Sequence, residues 1–186
     1  MSNLLLNEGY LDNTDLFYGA QDEKIFTKNK RYIDLSMCAG SILLGHNHKV
    51  FKKSIAKFIS KKISNIAAPN INAKIFAKNI KKVVTNSEKI IFCNSGTEAV
   101  IKSLRLARAV NNKKKIALVT GGWHGSVDQL LYKTNKNLKP INLSSGLPKE
   151  TYKNLILIPY NDFKKSEALL KKNKNKISCL IIEPIQ

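Results

Sequence analysis

The residues best suited to chemistry lie in a short loop, residues 94–99, which reads N-S-G-T-E-A between an apolar run and a helical pattern. Glycine and two hydroxyl residues at the start of a helix present free N–H groups and the positive end of the helix dipole to an anion such as phosphate. The same letters also form a capping box, in which Ser95 and Glu98 satisfy the helix's own N–H groups. Taken alone the loop favours the cap. The two interpretations are compatible, because Gly96 and Thr97 can still face a ligand.

A second loop, residues 121–125, reads G-G-W-H-G and carries the only tryptophan of the chain. A tryptophan exposed at a strand end could stack on a flat ring held by the first loop, and His124 could place a nitrogen near the polar edge of that ring. The alternative for a lone tryptophan is a buried position in the core. Glycines allow close backbone approach, and two glycine-containing loops at strand ends favour the ligand.

Four short apolar runs alternate with amphipathic helical patterns in the second part of the chain. The runs are residues 89–93, 115–119, 154–159 and 177–182, and the helices include 97–109 and 162–172. This alternation predicts an α/β fold with a mostly parallel sheet and helices on its faces. Ligands of such sheets bind at the carboxyl ends of the strands, so we expect the chemistry in the loops after Cys93, Val119 and Ile182.

The first part of the chain has a different pattern. A strand-like stretch at residues 31–35 precedes a turn of small residues at 36–41. Apolar residues then recur at steps of three and four from His48 to Ile63, which predicts an amphipathic helix. A break at residues 68–70 predicts the start of a second helix.

The formal charge of +19 raises the hypothesis of nucleic-acid binding. Of the 32 basic residues, 29 are lysines scattered along the chain and only Arg31, Arg105 and Arg108 are arginines. Proteins that recognise bases and phosphates rely on bidentate hydrogen bonds from arginine. The sequence also lacks aromatic residues placed to stack on bases. A compositional bias toward Lys, Asn and Ile explains the charge, and we predict no nucleic-acid partner.

The remaining composition predicts a reduced cytoplasmic protein. Cys38, Cys93 and Cys179 lie far apart without metal-site spacing, and we expect them to be reduced and buried, with no bound metal. No apolar run approaches the roughly 18 residues of a membrane span, and residues 7–15 lack the order of a secretory signal.

Together the two loops resemble those of the class-III aminotransferases, which use pyridoxal 5'-phosphate (PLP). The likeness covers residues 30–186 and includes L-G-H-N-H at 44–48, P-Y-N-D at 159–162 and E-P-I-Q at 183–186. It implies the large domain of a PLP-dependent transferase of fold type I, incomplete at its C-terminus. Residues 1–48 would form an N-terminal arm and residues 49–186 the first part of the PLP-binding domain.

The resemblance also implies roles for individual residues. The cofactor-binding set would be Ser95, Gly96 and Thr97 at the phosphate, Trp123 on the pyridine ring in place of the usual tyrosine, and His124 and Glu183 beside the cofactor. His46 and His48 would lie near the substrate entrance, or simply in a surface loop.

The activity implied is transfer of an amino group between two small molecules or within one molecule. The stretches at 44–48, 146–148 and 159–162 are similar to the aminomutase branch, whereas residues 37–41 and the ending E-P-I-Q depart from it. A transaminase for an amino sugar or an omega-amino acid, or a piece that only binds, stays open. The Schiff-base lysine and the aspartate at the pyridine nitrogen are expected beyond residue 186, so no catalytic residue is assigned here. The chain is expected to be an N-terminal fragment of a homodimeric enzyme.

Overall fold

In the computed structural model the described residues are 16–61, 68–135, 137, 139–148 and 150–185. The chain forms two compact units, Met1–Ile80 and Lys81–Gln186. The sequence predictions for residues 7–15, Ile63 and Gln186 lie outside the described residues. Among the helices that the structure describes, none is both long and apolar enough to cross a membrane. The arm and domain boundary expected after residue 48 stays a prediction.

The first unit contains a small antiparallel sheet followed by helices. Its elements are β1 (Phe17–Gln21), β2 (Lys24–Thr27), β3 (Arg31–Ile33), α1 (Lys49–Ser60) and α2 (Ile71–Val83), of which the last continues into the second unit. The strands pair in the order β1-β2-β3. The hairpin of β1 and β2 was not predicted, whereas both helices are confirmed.

Local polar contacts start these helices where the sequence predicts. The ring nitrogen Nδ1 of His48 accepts a hydrogen bond from the backbone N–H of Val50 at 3.4 Å and caps α1. The side-chain oxygen of Asn70 accepts one from the N–H of Ala73 at 2.9 Å at the start of α2. His48 therefore has a structural role, as helix cap.

A strained turn follows β3. In Met37–Gly40 all four residues have positive φ, with values of 45°, 53°, 53° and 79°. The carboxylate of Asp34 lies before this turn and accepts hydrogen bonds from the N–H groups of Ser36 (2.9 Å) and Met37 (3.0 Å). Its other oxygen lies 2.8 Å from Nε2 of His46. The Asp34–His46 pair thus joins the two ends of the segment that contains the turn.

This pair predicts an acid-sensitive stability. The hydrogen bond from His46, followed by those from the backbone N–H groups of Met37 and Ser36, holds the pKa of Asp34 below its ordinary value of 3.8. The stabilisation is present above pH 3.8 and is lost as the pH falls from 3.8 through the lower folded pKa, because the unfolded chain takes up the proton first. We expect Asp34→Asn to reduce the loss of unfolding free energy across this range, measured by urea unfolding. Asp128→Asn, at an exposed carboxylate, is the control, and equal slopes in the two variants would contradict the prediction.

The second unit is built on a parallel sheet. Its elements are α3 (Gly96–Asn111), β4 (Lys115–Val119), β5 (Tyr132–Thr134), β6 (Pro140–Asn142), β7 (Leu155–Ile158), α4 (Phe163–Asn173) and β8 (Ile177–Ile181), with single 3-10 turns at Asp128–Leu130 and Thr151–Asn154. The strand order is β7-β4-β8, and β4 is parallel to both neighbours. The predicted parallel sheet is confirmed.

Each face of this sheet is covered by one helix, as the alternation of patterns predicted. Ile116 and Leu118 of β4 pack with Leu104 of α3 on one face. Ala117 and Val119 point to the other face, where α4 packs. Both ends of α3 are capped within the chain, by Ser95 at the start and by Asn112 in the left-handed conformation (φ 52°) at the end. The central strand therefore contributes to the core on both faces of the sheet.

Two expectations are wrong. Residues 89–93 form no strand in the described structure, and Ile91 within them is 70% exposed. An apolar run becomes a strand only when another strand pairs with it, and the described residues supply none at this position. The three cysteines are free, but Cys38 is exposed and the other two are only partly buried. Cys38 is exposed because it lies in the strained surface turn.

Candidate functional site

All six predicted site residues lie in the second unit, around the carboxyl ends of β4 and β8. Ser95, Gly96 and Thr97 start α3, Trp123 and His124 lie in the turn after β4, and Glu183 follows β8. Two hydrogen bonds connect these segments. The N–H of Ser126 donates to Oγ1 of Thr97 at 3.1 Å, and the N–H of Trp123 donates to Oε2 of Glu183 at 2.9 Å. The structure therefore brings the two predicted loops and the β8 loop together.

The start of α3 is both capped and open. Oγ of Ser95 accepts a hydrogen bond from the N–H of Glu98 at 3.2 Å. The carboxylate of Glu98 accepts one from the N–H of Asn94 at 2.8 Å, one residue earlier than the usual capping box. Within the described residues, the N–H groups of Gly96 and Thr97 form no hydrogen bond. The capping interpretation is thus right, and it leaves two donors at the positive end of a sixteen-residue helix.

Thr97 is in direct contact with the turn after β4. Gly125 has φ +74°, and a Cβ atom there would overlap Oγ1 of Thr97 and lie 2.9 Å from its Cα. Only glycine fits both this torsion and this contact. Oγ1 of Thr97 accepts the hydrogen bond from Ser126, so its hydroxyl proton stays available to an acceptor such as a phosphate oxygen. Ser126 was not among the predicted residues, because a backbone N–H leaves no signal in residue type.

Trp123 does not occupy the core. Its side chain is 61% exposed, which rules out the buried alternative for the lone tryptophan. Its backbone is fixed by Glu183 while its indole face is open to solvent. The side chain can therefore offer a large flat apolar surface to a ring.

His124 has the opposite environment. Only 9% of the residue is exposed, and its buried Nε2 atom has no hydrogen-bond partner among the described residues. Burial lowers the pKa of His124 below its ordinary value of 6.5, and the charge of Glu183 opposes this by raising it. An unpaired buried polar atom destabilises a fold by about 1–3 kcal/mol. Such an atom beside an open indole fits a polar group of a bound molecule.

The lowered pKa of His124 predicts a pH dependence. Below pH 6.5 the unfolded chain takes up a proton that the folded chain excludes, so folding stability falls as the pH decreases from 6.5. We expect the free energy of unfolding to fall between about pH 7.5 and about pH 5.5, measured by urea unfolding, and to fall less in His124→Asn.

His48→Asn is the matched control for this measurement, since it removes another histidine while asparagine still caps α1. The same pH slope in His124→Asn and in the unaltered protein would overturn the prediction. His46, the remaining histidine, is paired with Asp34 in the first unit.

Comparison with known proteins agrees with this architecture. The sequence profile of the family described as aminotransferase class-III matches residues 22–186. The chain therefore belongs to the class-III aminotransferase family. It is 38% identical over 163 residues to glutamate-1-semialdehyde 2,1-aminomutase of Wigglesworthia glossinidia brevipalpis, across 84% of this chain and 37% of that protein. It is 37% identical over 156 residues to the protein of the same name from Methanocaldococcus jannaschii, across 83% of this chain and 36% of that one.

Solved structures give the same fold. A transaminase with PLP bound superposes with a TM-score of 0.84 at 24% identity, over 96% of this chain and 42% of that one. An omega-transaminase from Sphaerobacter thermophilus gives 0.82 at 21% identity, over 90% of this chain and 40% of that one. The fold is thus that of the fold type I transferases, as the sequence predicts. The chain spans about two fifths of the length of these relatives.

Proposed function

We propose that the whole protein is a PLP-dependent enzyme that transfers an amino group, and that the second unit holds the phosphate and one face of the cofactor ring. The observation that carries this proposal is the contact between the two loops. The Thr97 to Ser126 hydrogen bond joins the open helix start to the loop that carries the exposed indole of Trp123. Membership of the class-III aminotransferase family supports it.

The residues present fit this cofactor. The free N–H groups of Gly96 and Thr97, with the Thr97 hydroxyl and the Ser95 segment around them, suit a phosphate dianion. The open face of Trp123 suits a pyridine ring. The Nε2 of His124, which has no partner among the described residues, suits a polar substituent of that ring, and Glu183 accepts a hydrogen bond from the N–H of Trp123.

The positions of these residues indicate what each of them contributes to the proposed reaction. PLP, when bound, supplies an electron-poor ring that stabilises negative charge on a substrate carbon. The α3 start anchors the phosphate, so that the ring has a fixed position. Trp123 covers one ring face and excludes water from it. His124 stays neutral above its lowered pKa and can therefore either donate or accept one hydrogen bond through Nε2. The family resemblance implies a Schiff-base lysine and an aspartate at the pyridine nitrogen, and neither role is assigned to a residue of this chain.

The first candidate reaction is the intramolecular one, in which an amino group moves from carbon 2 to carbon 1 of glutamate-1-semialdehyde. Its support is the set of relatives named for this reaction at 33–38% identity. The second candidate is transfer between two molecules, with an omega-amino acid or an amino sugar as donor. Its support is the departure of residues 37–41 and 183–186 from the aminomutase pattern.

One experiment separates these candidates. The whole protein is purified, its PLP content is measured after alkaline release, and it is incubated with glutamate-1-semialdehyde with and without an added keto acid. Isomerisation without a keto acid supports the aminomutase. Amino transfer that requires the keto acid supports a transaminase. Stoichiometric PLP with neither reaction indicates a binding protein, and absence of PLP binding refutes the proposal.

We further infer that the whole protein is a cytoplasmic homodimer with its active site at the subunit boundary. Large apolar side chains of α1 are exposed, including Phe51 and Ile59, and burying such surface favours association. The three free cysteines fit a reducing compartment. A mass that stays monomeric at every concentration in light scattering would refute the dimer.

A further inference from the structure

One hydrogen bond joins the ends of two neighbouring strands. β4 and β8 run side by side, with Leu118 paired with Ile181. Beyond their carboxyl ends the N–H of Trp123 donates to Oε2 of Glu183 at 2.9 Å, across 60 residues of sequence. The acceptor is a carboxylate, and hydrogen bonds to ionised groups are roughly twice as strong as neutral ones. This bond ties the turn after β4 to the loop after β8.

The backbone of this turn is flexible enough to require a fixing contact. It contains Gly121 with φ +104° and Gly125 with φ +74°, and glycines restrict the backbone least. The indole of Trp123 is mostly exposed and so has little packing to fix it. Two bonds therefore locate the turn: Ser126 to Thr97 at one end, and Trp123 to Glu183 at the other.

The same carboxylate also acts on the next residue. His124 is buried, and the negative charge of Glu183 raises its pKa against the larger effect of burial. Among the described residues, Glu183 is the charged group that raises the pKa of His124. One side chain thus influences both members of the turn that faces the proposed cofactor.

We propose that Glu183 is a positioning residue, which fixes the Trp123 indole through the backbone N–H and sets the electrostatic environment of His124 without itself touching the cofactor. This inference rests on the proposed function, since the turn is the proposed ring platform. It assigns Glu183 a role different from direct cofactor contact. Removing its carboxylate displaces the platform, and removing only its charge leaves the platform in place.

Two substitutions separate these effects in the whole protein. Glu183→Ala deletes the acceptor, whereas Glu183→Gln keeps an oxygen for the Trp123 N–H and deletes the charge. The probe for position is the fluorine NMR resonance of 5-fluorotryptophan at position 123, assigned by its loss in Trp123→Phe and recorded without cofactor. The probe for charge is the NMR titration of His124, and the PLP dissociation constant is measured separately.

In Glu183→Ala we expect the Trp123 resonance to shift and broaden and PLP to bind about tenfold more weakly. In Glu183→Gln we expect an almost unchanged Trp123 resonance and a lower His124 pKa. The matched controls are Glu167→Ala and Glu167→Gln, because Glu167 is exposed and, within the described part of the chain, forms a surface ion pair with Lys171 on α4. A Trp123 resonance that is identical in Glu183→Ala and Glu167→Ala would overturn the positioning role.

The positioning role of Glu183 and the binding of PLP are tested by separate measurements. The tryptophan and histidine signals are recorded in the cofactor-free protein, so they test the tie even if PLP does not bind. Failure of the unaltered protein to bind PLP refutes the proposed function alone. If Glu183→Ala does not fold, Glu183→Gln still decides, because an unchanged His124 titration in that variant would overturn the electrostatic role.

Discussion

Replacing Gly125 with alanine will have the largest effect of any single methyl group added to this site. The new Cβ would overlap Oγ1 of Thr97 and lie 2.9 Å from its Cα, at a backbone φ of +74°. Left-handed backbone and overpacking each destabilise a fold by about 1–3 kcal/mol, so we expect a loss of about 3 kcal/mol in the free energy of unfolding. We also expect amino transfer by the whole protein to fall about 100-fold, since the helix start and the turn must move apart.

Gly146→Ala is the matched control for this substitution. Gly146 has a similar φ of +82°, but a Cβ atom there meets nothing within 4 Å. It carries the backbone strain without the clash, and we expect a loss of about 1 kcal/mol and unchanged activity. Urea unfolding and initial rates measure both variants. Equal losses in the two variants would mean that the contact between Gly125 and Thr97 is not tight.

The sequence predicted that the loops at residues 94–99 and 121–125 lie together, but it did not predict how they make contact. Residues 94–99 and 121–125 could be recognised as candidate loops because glycines and hydroxyl residues before a helix or after a strand often bind ligands. Their contact could not, because it depends on the backbone N–H of Ser126 and on the close approach at Gly125. Residue types indicate the chemistry available within one loop. They do not indicate which backbone N–H group will form a hydrogen bond with a residue distant in sequence.

The strand prediction is correct for a strand that is buried on both faces of the sheet, and it is wrong for segments that are not. The run 115–119 is a central strand, with Ile116 and Ala117 fully buried. The run 89–93 has the same apolar pattern, yet it forms no strand because none of the described residues pairs with it. The opposite error concerns β1 (Phe17–Gln21), whose sequence F-Y-G-A-Q lacks a regular apolar alternation and so did not predict a hairpin. Pairing partners decide strands, and a local pattern does not reveal partners.

Glu183 illustrates the same limit within the site. The resemblance to the family places it near the cofactor, and the structure places its carboxylate on the N–H of Trp123. Proximity in a fold does not determine which atom a side chain binds. The hydrogen bonds of Glu183, and not its position alone, therefore indicate its role.

Substitution of Thr97 by valine will have the second large effect. Valine keeps the volume and branching of threonine, so the contact with Gly125 is preserved. The hydroxyl is lost, and with it both the acceptor for the Ser126 N–H and a donor for a phosphate oxygen. A hydrogen bond to a charged group contributes about 1.5–3 kcal/mol, so we expect PLP to bind about 10- to 100-fold more weakly, measured by equilibrium dialysis of the whole protein.

The variant Thr97→Ser tests whether the weaker PLP binding of Thr97→Val comes from the lost hydroxyl group. Thr97→Ser restores the hydroxyl without the methyl group, and we expect it to recover most of the affinity. Inorganic phosphate provides an independent probe, because it should compete with PLP in the unaltered protein and in Thr97→Ser, and more weakly in Thr97→Val. If Thr97→Val and Thr97→Ser bind PLP equally well, the hydroxyl has no part in phosphate binding. The anion would then be held by the N–H groups of Gly96 and Thr97 alone, which neither substitution removes.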